Sequence, residues 1–143
     1  SSYIYMEDSD NGQRVIHCNT NQIGFLTQAG GWGSYCDDAG NWTSVGNITG
    51  VNINSTSDIT LKKNVSPIDG MTLIEKINPV QFDWINNDQH SYGVIAQELE
   101  KEFPELVHTN KEGIKTVSYI PMIAMLLDSV KKLNLRVKEL EDK

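Results

Sequence analysis

The residues best suited to chemistry in this 143-residue chain are Ser57 and Lys62, which lie near its middle. A serine hydroxyl is a weak nucleophile until a base removes its proton, and a lysine can be that base where desolvation lowers its pKa. Serine–lysine pairs are a recognised variant of the nucleophile–base arrangement. Spacing alone is weak support, because a serine before Asp58 also caps helices and turns. The pair therefore gives a hypothesis that the surrounding sequence has to support.

The pair lies where the composition of the chain changes. Residues 1–57 hold most of the glycines and one basic residue, Arg14, whereas residues from Asp58 onward are rich in both kinds of charge. The first part predicts a meander of short strands separated by turns such as Asp10-Asn11-Gly12. The strands are expected at residues 3–6, 14–18, 23–27, 33–36 and 47–53. Such short strands bury little on their own, so this part is expected to share a core with identical copies.

The second part predicts a mixture of helices and strands. A helix is expected at residues 69–77, ended by Asn78-Pro79, and strands at 80–84 and 91–95. Ile95, Leu99 and Phe103 mark one face of a further helix that stops before Pro104. A hairpin of strands 106–109 and 114–118 follows, with Gly113 at a position that suits positive φ. The chain is therefore predicted to be α+β.

The last segment shows a heptad pattern in which apolar residues are spaced alternately three and four apart. They are Ile123, Leu126, Val130, Leu133, Val137 and Leu140. This spacing predicts the seam of a coiled-coil helix at about residues 119–143. β-Branched residues at one position and leucines at the other favour two strands when taken alone, so the pattern indicates self-association without fixing the number of copies. The other interpretation is a terminal helix that packs on its own domain.

Charge and cysteine content exclude several classes of function. The net charge is −7 and no dense lysine or arginine stripe occurs, so nucleic acid is not expected as a partner. No apolar run is long enough to span a bilayer, so membrane insertion is not expected. Cys18 and Cys36 fit neither a disulfide framework nor a zinc pattern and are read as free thiols. His17 and Cys18 are adjacent and point to opposite faces of a strand, so neither a metal nor a cofactor is expected.

Three stretches of the second part resemble a known family. They are SDITLKKNV at residues 57–65, YGVIAQELE at 92–100 with FPELV at 103–107, and VSY at 117–119 before the terminal helix. In this order they are similar to the endosialidase-type intramolecular chaperone, the C-terminal self-cleaving domain of bacteriophage tailspikes, tail fibres and neck appendages. The resemblance covers residues 57–143, with Thr60 where many members have arginine. Residues 1–56 resemble the distal β-rich stem of such fibres only in style.

The resemblance implies a division of labour between two domains. Residues 1–57 would be the distal stem of a phage fibre or spike, and residues 58–143 a chaperone that forms a homotrimer and folds the stem of its own chain. Ser57 would be the nucleophile and Lys62 the general base for cleavage of the Ser57–Asp58 bond. The stem would then belong to the virion, while the chaperone would be released in the cytoplasm of the host bacterium.

Other interpretations are retained beside this one. A non-catalytic trimeric adhesin tip would contain the same helix, with Ser57 and Lys62 inert. Trp32, Tyr35 and Trp42 lie among glycines and suggest a flat surface on which a sugar ring could stack, which makes a carbohydrate-binding fibre end with a host-surface glycan as ligand another alternative. A third alternative is a self-processing domain of a protein outside phages, such as a membrane-tethered transcription factor in animals.

Overall fold

The chain has an α+β fold that divides into two compact units. The computed structural model describes residues 1–7 and 13–142, and the turn predicted at Asp10-Asn11-Gly12 lies outside them. The units are Ser1–Asp58 and Ile59–Lys143. Strands occur in both units and helices in the second, which confirms the predicted fold class. The assignment of the units to a fibre stem and a chaperone stays a prediction.

The first unit is a five-stranded antiparallel meander in which every strand pairs with the next in sequence. Its strands are β1 (Ser2–Glu7), β2 (Gln13–Cys18), β3 (Gln22–Leu26), β4 (Trp32–Asp37) and β5 (Trp42–Ser44). Gly30 and Gly40, in the turns before β4 and β5, have φ values of +83° and +81°. A side chain disfavours that backbone region, so glycine suits these two turns.

Four of the five strands predicted for this unit are confirmed, and the fifth prediction is wrong. The described residues 47–53 form no strand, although Ile48 and Val51 suggest one by composition. The last strand is instead β5, which pairs with β4 through Cys36 and Trp42. The tail keeps its apolar side chains exposed, Val51 fully so. Composition favours a strand at the tail, but a strand also needs a neighbour to pair with.

The second unit alternates helices with two β-hairpins, and its last helix is long. Its helices are α1 (Gly70–Ile74), α2 (Ala96–Glu102) and α3 (Ile120–Glu141), with 3-10 turns at Ile59–Leu61 and Pro104–Leu106. Its strands are β6 (Pro79–Asp83), β7 (His90–Val94), β8 (Val107–Thr109) and β9 (Lys115–Val117). The strands pair as two antiparallel ribbons, β6 with β7 and β8 with β9. Gly113, in the turn of the second ribbon, has the predicted positive φ, +82°.

The core of the second unit lies between α2, the turn that follows it, and the first half of α3. Six apolar residues are buried there: Leu99, Phe103, Leu106, Val107, Met122 and Met125. Leu73, Ile74 and Ile77 from α1 and its C-terminal turn pack against this cluster. The helix predicted at residues 69–77 is therefore present but shorter, because regular α-helix ends at Ile74. Among the described residues no helix has the length and apolar content to cross a membrane.

Candidate functional site

Ser57 and Asp58 are the last two residues of the first unit. Both are exposed and belong to the irregular segment that leads into the 3-10 turn Ile59–Leu61. The bond predicted to be cut therefore lies at the end of one compact unit, outside every helix and strand. A bond in such an exposed segment is accessible to attack without unfolding of a sheet.

Lys62 follows directly after the 3-10 turn, in the second unit. Its backbone N–H donates to the carbonyl of Ile59 at 3.1 Å, and its side chain is exposed. Two residues later, Asn64 has a φ of +56°, in the left-handed region that asparagine tolerates better than most residues. Ser57 and Lys62 are thus described in different units, and their action as a dyad stays a prediction.

The six predicted seam residues lie on a side of α3 that the single chain leaves uncovered. Their exposed fractions run from 48% at Leu133 to 69% at Leu140. A different side of the same helix holds the residues that pack on the second unit, namely Met122, Met125 and Ser129. Ser129 is 1% exposed, and its Oγ donates to the Met125 carbonyl at 2.7 Å. The helix therefore does pack on its own unit, as the alternative interpretation held, but through a different side from the seam.

A group of polar residues joins α1 to α3 across a long stretch of sequence. Lys132 Nζ lies 2.7 Å from Asp69 Oδ1 and 2.8 Å from Asp128 Oδ2. Asp128 Oδ2 also accepts a hydrogen bond from the Gly70 amide at 2.7 Å, and Asp69 Oδ2 accepts one from the Thr72 hydroxyl at 2.7 Å. We call Asp69, Asp128 and Lys132 the α1–α3 clip.

The clip shifts the pKa of all three of its charged groups. The hydrogen bond from Lys132, followed by that from Thr72, lowers the pKa of Asp69 below 3.8. The pKa of Asp128 is lowered below 3.8 by Lys132 first and then by the Gly70 amide. The pKa of Lys132 is raised above 10.5, by Asp128 and then by Asp69. Each shift favours the charged form, as expected for opposite charges in hydrogen-bond contact.

The three aromatic residues suggested as a sugar platform do not share one surface. Tyr35 pairs with Thr43 and Cys36 pairs with Trp42, which puts Trp42 on the opposite face of the sheet from Tyr35. Trp32 and Tyr35 do meet, with ring centroids 5.3 Å apart. The expectation of one flat surface built from all three residues is therefore wrong, because Trp42 and Tyr35 occupy alternate positions of the strand pairing.

His17 and Cys18 lie on opposite faces of β2, since successive residues of a strand alternate. The His17 ring is stacked on Tyr3 at 4.2 Å, and its Nδ1 lies 3.3 Å from the Ser2 carbonyl oxygen. Cys18 is exposed and Cys36 half-buried, and both are free thiols. Within residues 1–7 and 13–142 no cluster of three or more histidine, cysteine or acidic side chains has a metal-binding arrangement.

The segment that contains Ser57 and Lys62 matches the sequence model of a known protein family. The sequence model of the family described as chaperone of endosialidase matches residues 57–108. The family is classed as a peptidase family. The match confirms the resemblance for the first two of the three stretches, and residues 117–119 lie outside it. The matched segment begins at Ser57 and ends in β8.

Two phage proteins are similar over most of the chain. The long tail fibre protein Gp37 of Enterobacteria phage K3 is 38% identical over 114 residues, which covers 73% of this chain and 9% of that protein. Gp37 of Enterobacteria phage T2 is also 38% identical over 114 residues, covering 73% of this chain and 8% of that protein. The chain spans less than a tenth of the length of these two relatives.

Several residues that build the second unit were not identified from the sequence. Asp69 and Lys132 lie too far apart in sequence for any local rule to pair them. Ser129 is a small polar residue within a helix, so hydropathy does not mark it as buried. The spacing of Met122, Met125 and Ser129 by three and four does indicate a helix face, and it was the available signal for a second face of α3.

Proposed function

We propose that the chain is part of a phage tail fibre or spike, in which residues 58–143 form an intramolecular chaperone. In this proposal three copies associate, the upstream stem folds under their guidance, and the chain then cuts itself between Ser57 and Asp58. Ser57 is the nucleophile and Lys62 is the general base. The stem remains in the virion, and the chaperone is released in the host cytoplasm.

One observation carries this proposal. The family match begins at Ser57, the residue proposed as the nucleophile, and it leaves out the β-meander that precedes it. The first unit ends at Asp58. A chaperone that separates from its client needs a cut between the two, in an exposed segment, and the Ser57–Asp58 bond has that position. The long tail fibre proteins that resemble this chain support a fibre as the client.

The geometry of the bond restricts how Ser57 can react. Attack of Ser57 Oγ on its own carbonyl would close a four-membered ring and is strained. In a trimer, Oγ of one copy can instead attack the Ser57 carbonyl carbon of a neighbouring copy. Lys62 Nζ takes the hydroxyl proton and returns it to the departing Asp58 amine. Water then hydrolyses the resulting ester, which frees the carboxylate and restores the hydroxyl.

A second route gives a different product. Ser57 Oγ can attack the Thr56 carbonyl through a five-membered ring, which moves the acyl group from nitrogen to oxygen. Hydrolysis of that ester cuts the chain before Ser57. We favour cleavage after Ser57, with reaction tied to assembly because association brings the reacting groups within range of each other. The N-terminal residue of the released fragment, Asp58 or Ser57, distinguishes the two routes.

The exposed seam of α3 supports association as the first step. Six apolar residues in heptad register remain uncovered in one chain, and burial against helices of other copies removes them from water. Association of the chaperone units raises the effective concentration of the attached stems. It therefore lowers the entropic cost of bringing the three stems into register. Once the chain is cut, the stem can no longer unfold and refold with the help of the attached chaperone. Its persistence then depends on how slowly it unfolds.

Mass spectrometry of the purified chain tests the dyad. We expect a fragment beginning at Asp58 from the native sequence, and the uncut chain from Ser57→Ala and from Lys62→Ala. Ser55→Ala and Lys63→Ala are matched controls, since both residues are exposed neighbours of the same type, and both variants should cut normally. An intact native chain that is trimeric by light scattering would favour the non-catalytic adhesin tip. Equal cutting by Lys62→Ala and Lys63→Ala would refute the base.

A glycan ligand of the stem stays a separate prediction. With Trp42 on the other face, the rings that could stack on a sugar are those near Trp32 and Tyr35. Loss of binding to host-surface polysaccharide in Trp32→Ala, with retention in Trp42→Ala, would support it. No binding by the native stem would refute it without affecting the self-cleavage proposal.

A further inference from the structure

The two faces of the five-stranded sheet differ in chemistry. Strand alternation and the pairing register put Ile4, Ile16 and Phe25 in one cross-strand row, with Met6, Ile23 and Trp42 on the same side. We call these six residues the apolar face. The opposite side contains Tyr3, Tyr5, His17, Trp32 and Tyr35, which we call the aromatic face.

The central part of the aromatic face is covered by its own rings. The His17 ring lies between Tyr3, at 4.2 Å, and Trp32, at 5.0 Å, and Trp32 in turn contacts Tyr35. These rings meet above Gly24, which is paired with both His17 and Tyr35 and has no side chain to separate them. His17 is consequently only 8% exposed. This face therefore needs no further layer to bury its central residue.

The apolar face has no such cover. Of these six residues only Ile16 is half-buried; Ile4 is 61% exposed, and the exposed fractions of Met6, Ile23, Phe25 and Trp42 lie between 45% and 55%. Among the described residues of the first unit there is one sheet and no helix that could lie on it. A sheet is stable when one face is buried against another layer, and burial of apolar surface supplies most of that stability. The second layer must come from outside this unit.

Charge indicates which kind of molecule supplies that layer. The acidic residues of strands β1 to β5, Glu7 and Asp37, lie on the aromatic side, and these strands put one charged residue, Arg14, on the apolar side. Two apolar faces can therefore meet without bringing carboxylates together. The second unit independently has an uncovered apolar seam on α3. An identical copy of the chain offers a matching surface to both.

We propose that the apolar face is the surface through which the first unit packs against the first units of other copies, with the aromatic face turned to solvent. This proposal rests on the self-association proposed above and specifies which side of the stem becomes internal. It also explains what holds the stem together after the chaperone has left, since the apolar face belongs to residues before the cut. The interface is sheet-on-sheet packing between copies.

A native thiol reports on this face. Cys18 is exposed in the single chain and pairs with Ile23, so it lies on the apolar side. The test uses the full Ser57→Ala chain, with N-ethylmaleimide as the reagent, peptide mass spectrometry as the readout and light scattering for the oligomer. We expect Cys18 to stay unmodified in the native assembly and to react fully in urea. Thr43→Cys puts a thiol at an exposed position on the aromatic side, and this thiol should react in both conditions.

Adjacent residues of β1 give a matched pair of variants. Ile4 and Tyr5 are 61% and 60% exposed and lie on opposite faces. Ile4→Lys should make Cys18 reactive, whereas Tyr5→Lys should leave it protected. Reactive Cys18 in a trimeric native chain would overturn the apolar-face interface and leave the self-association proposal intact. A monomeric native chain with reactive Cys18 would overturn both, and equal effects of the two lysines would overturn the assignment of the faces.

Discussion

Gly70 is a residue at which α1 lies close to α3. A β-carbon at this position would collide with the carbonyl oxygen of Met125 and would lie 2.9 Å from Cβ of Asp128. The backbone atoms of α3 cannot move aside without disturbing the helix, so the absence of a side chain sets the distance between the two helices. At the same position, the Gly70 amide donates to Asp128, which ties the contact to the α1–α3 clip.

We expect Gly70→Ala to lower the free energy of unfolding by about 1–3 kcal/mol, the usual cost of forcing an extra group into a packed site. Urea unfolding of the full Ser57→Ala chain, followed by circular dichroism, measures the change. Gly46→Ala is the control, because a β-carbon at Gly46 meets no atom within 4 Å. Its effect should stay within about 0.5 kcal/mol. Equal effects of the two alanines would show that the close approach at Gly70 is not required.

Single residues also mark the limit of what the sequence could predict. Gly113 was expected at positive φ because it lies in a short hairpin turn, and the structure confirms it. Gly70 offered no such signal, since its importance comes from Met125, which is distant in sequence. The burial of Ser129 likewise depends on what packs against α3. A turn conformation can be predicted from neighbouring residues. A contact between residues that are distant in sequence can be identified only once the folded structure is known.

At the scale of elements, the α1–α3 clip makes the contact between two helices depend on pH. The pKa values of Asp69 and Asp128 are lowered on folding. The contribution of these carboxylates to stability is therefore present above pH 3.8 and is lost as the pH falls through their pKa values in the folded chain. The raised pKa of Lys132 acts at the other end, so its contribution is full below 10.5 and is lost as pH rises through the folded value. Between these two pH values the contribution of the clip to stability should not change with pH.

We therefore expect the stability of the Ser57→Ala chain to decrease as the pH is lowered from about 4. The reason is that these carboxylates take up protons more readily in the unfolded chain than in the folded one. Asp128→Asn should reduce that fall, because the amide keeps an acceptor for Gly70 but does not titrate. Glu139→Gln, at an exposed position of the same helix, is the control and should leave the acid limb unchanged. The measurement is thermal unfolding at a series of pH values. Identical acid limbs for the native residue and Asp128→Asn would contradict the role of the clip.

Elements differ in how far their sequence determines them. The strands β1 to β4 were predicted because alternating apolar residues and glycine-rich turns bound each of them. The three-residue β5 was missed because it is too short to show alternation, and residues 47–53 were overpredicted because their β-branched residues lack a neighbouring strand. Helix α3 was predicted from its heptads, but the heptads identified only the uncovered side. Its packed side begins with Met122 and Met125, whose partners lie in α1 and α2.

At the scale of the whole molecule, the seam of α3 should control how many copies associate. Leu133 belongs to the seam and is 48% exposed, while Leu135 lies outside it and is 60% exposed. Leu133→Lys puts a charge into the interface between helices and should shift the chain toward monomer, whereas Leu135→Lys should not. Light scattering of the Ser57→Ala chain measures the change.

The same two substitutions test whether cleavage depends on assembly. In the chain that retains Ser57, Leu133→Lys should slow the appearance of the fragment that begins at Asp58, because fewer chains reach the associated state. Leu135→Lys should leave the rate unchanged. Normal cutting by a monomeric Leu133→Lys chain would show that each copy acts alone, which would favour attack on the Thr56 carbonyl over attack by a neighbouring copy.

Helix α3 assigns its two tasks to different positions. Met122, Met125 and Ser129 pack on the rest of the second unit, whereas the seam residues from Ile123 to Leu140 are exposed in the single chain. Substitutions in one set therefore need not disturb the other. Under the proposed association, the choice of partner helix could be redesigned through these exposed side chains while the core of the second unit stays unchanged.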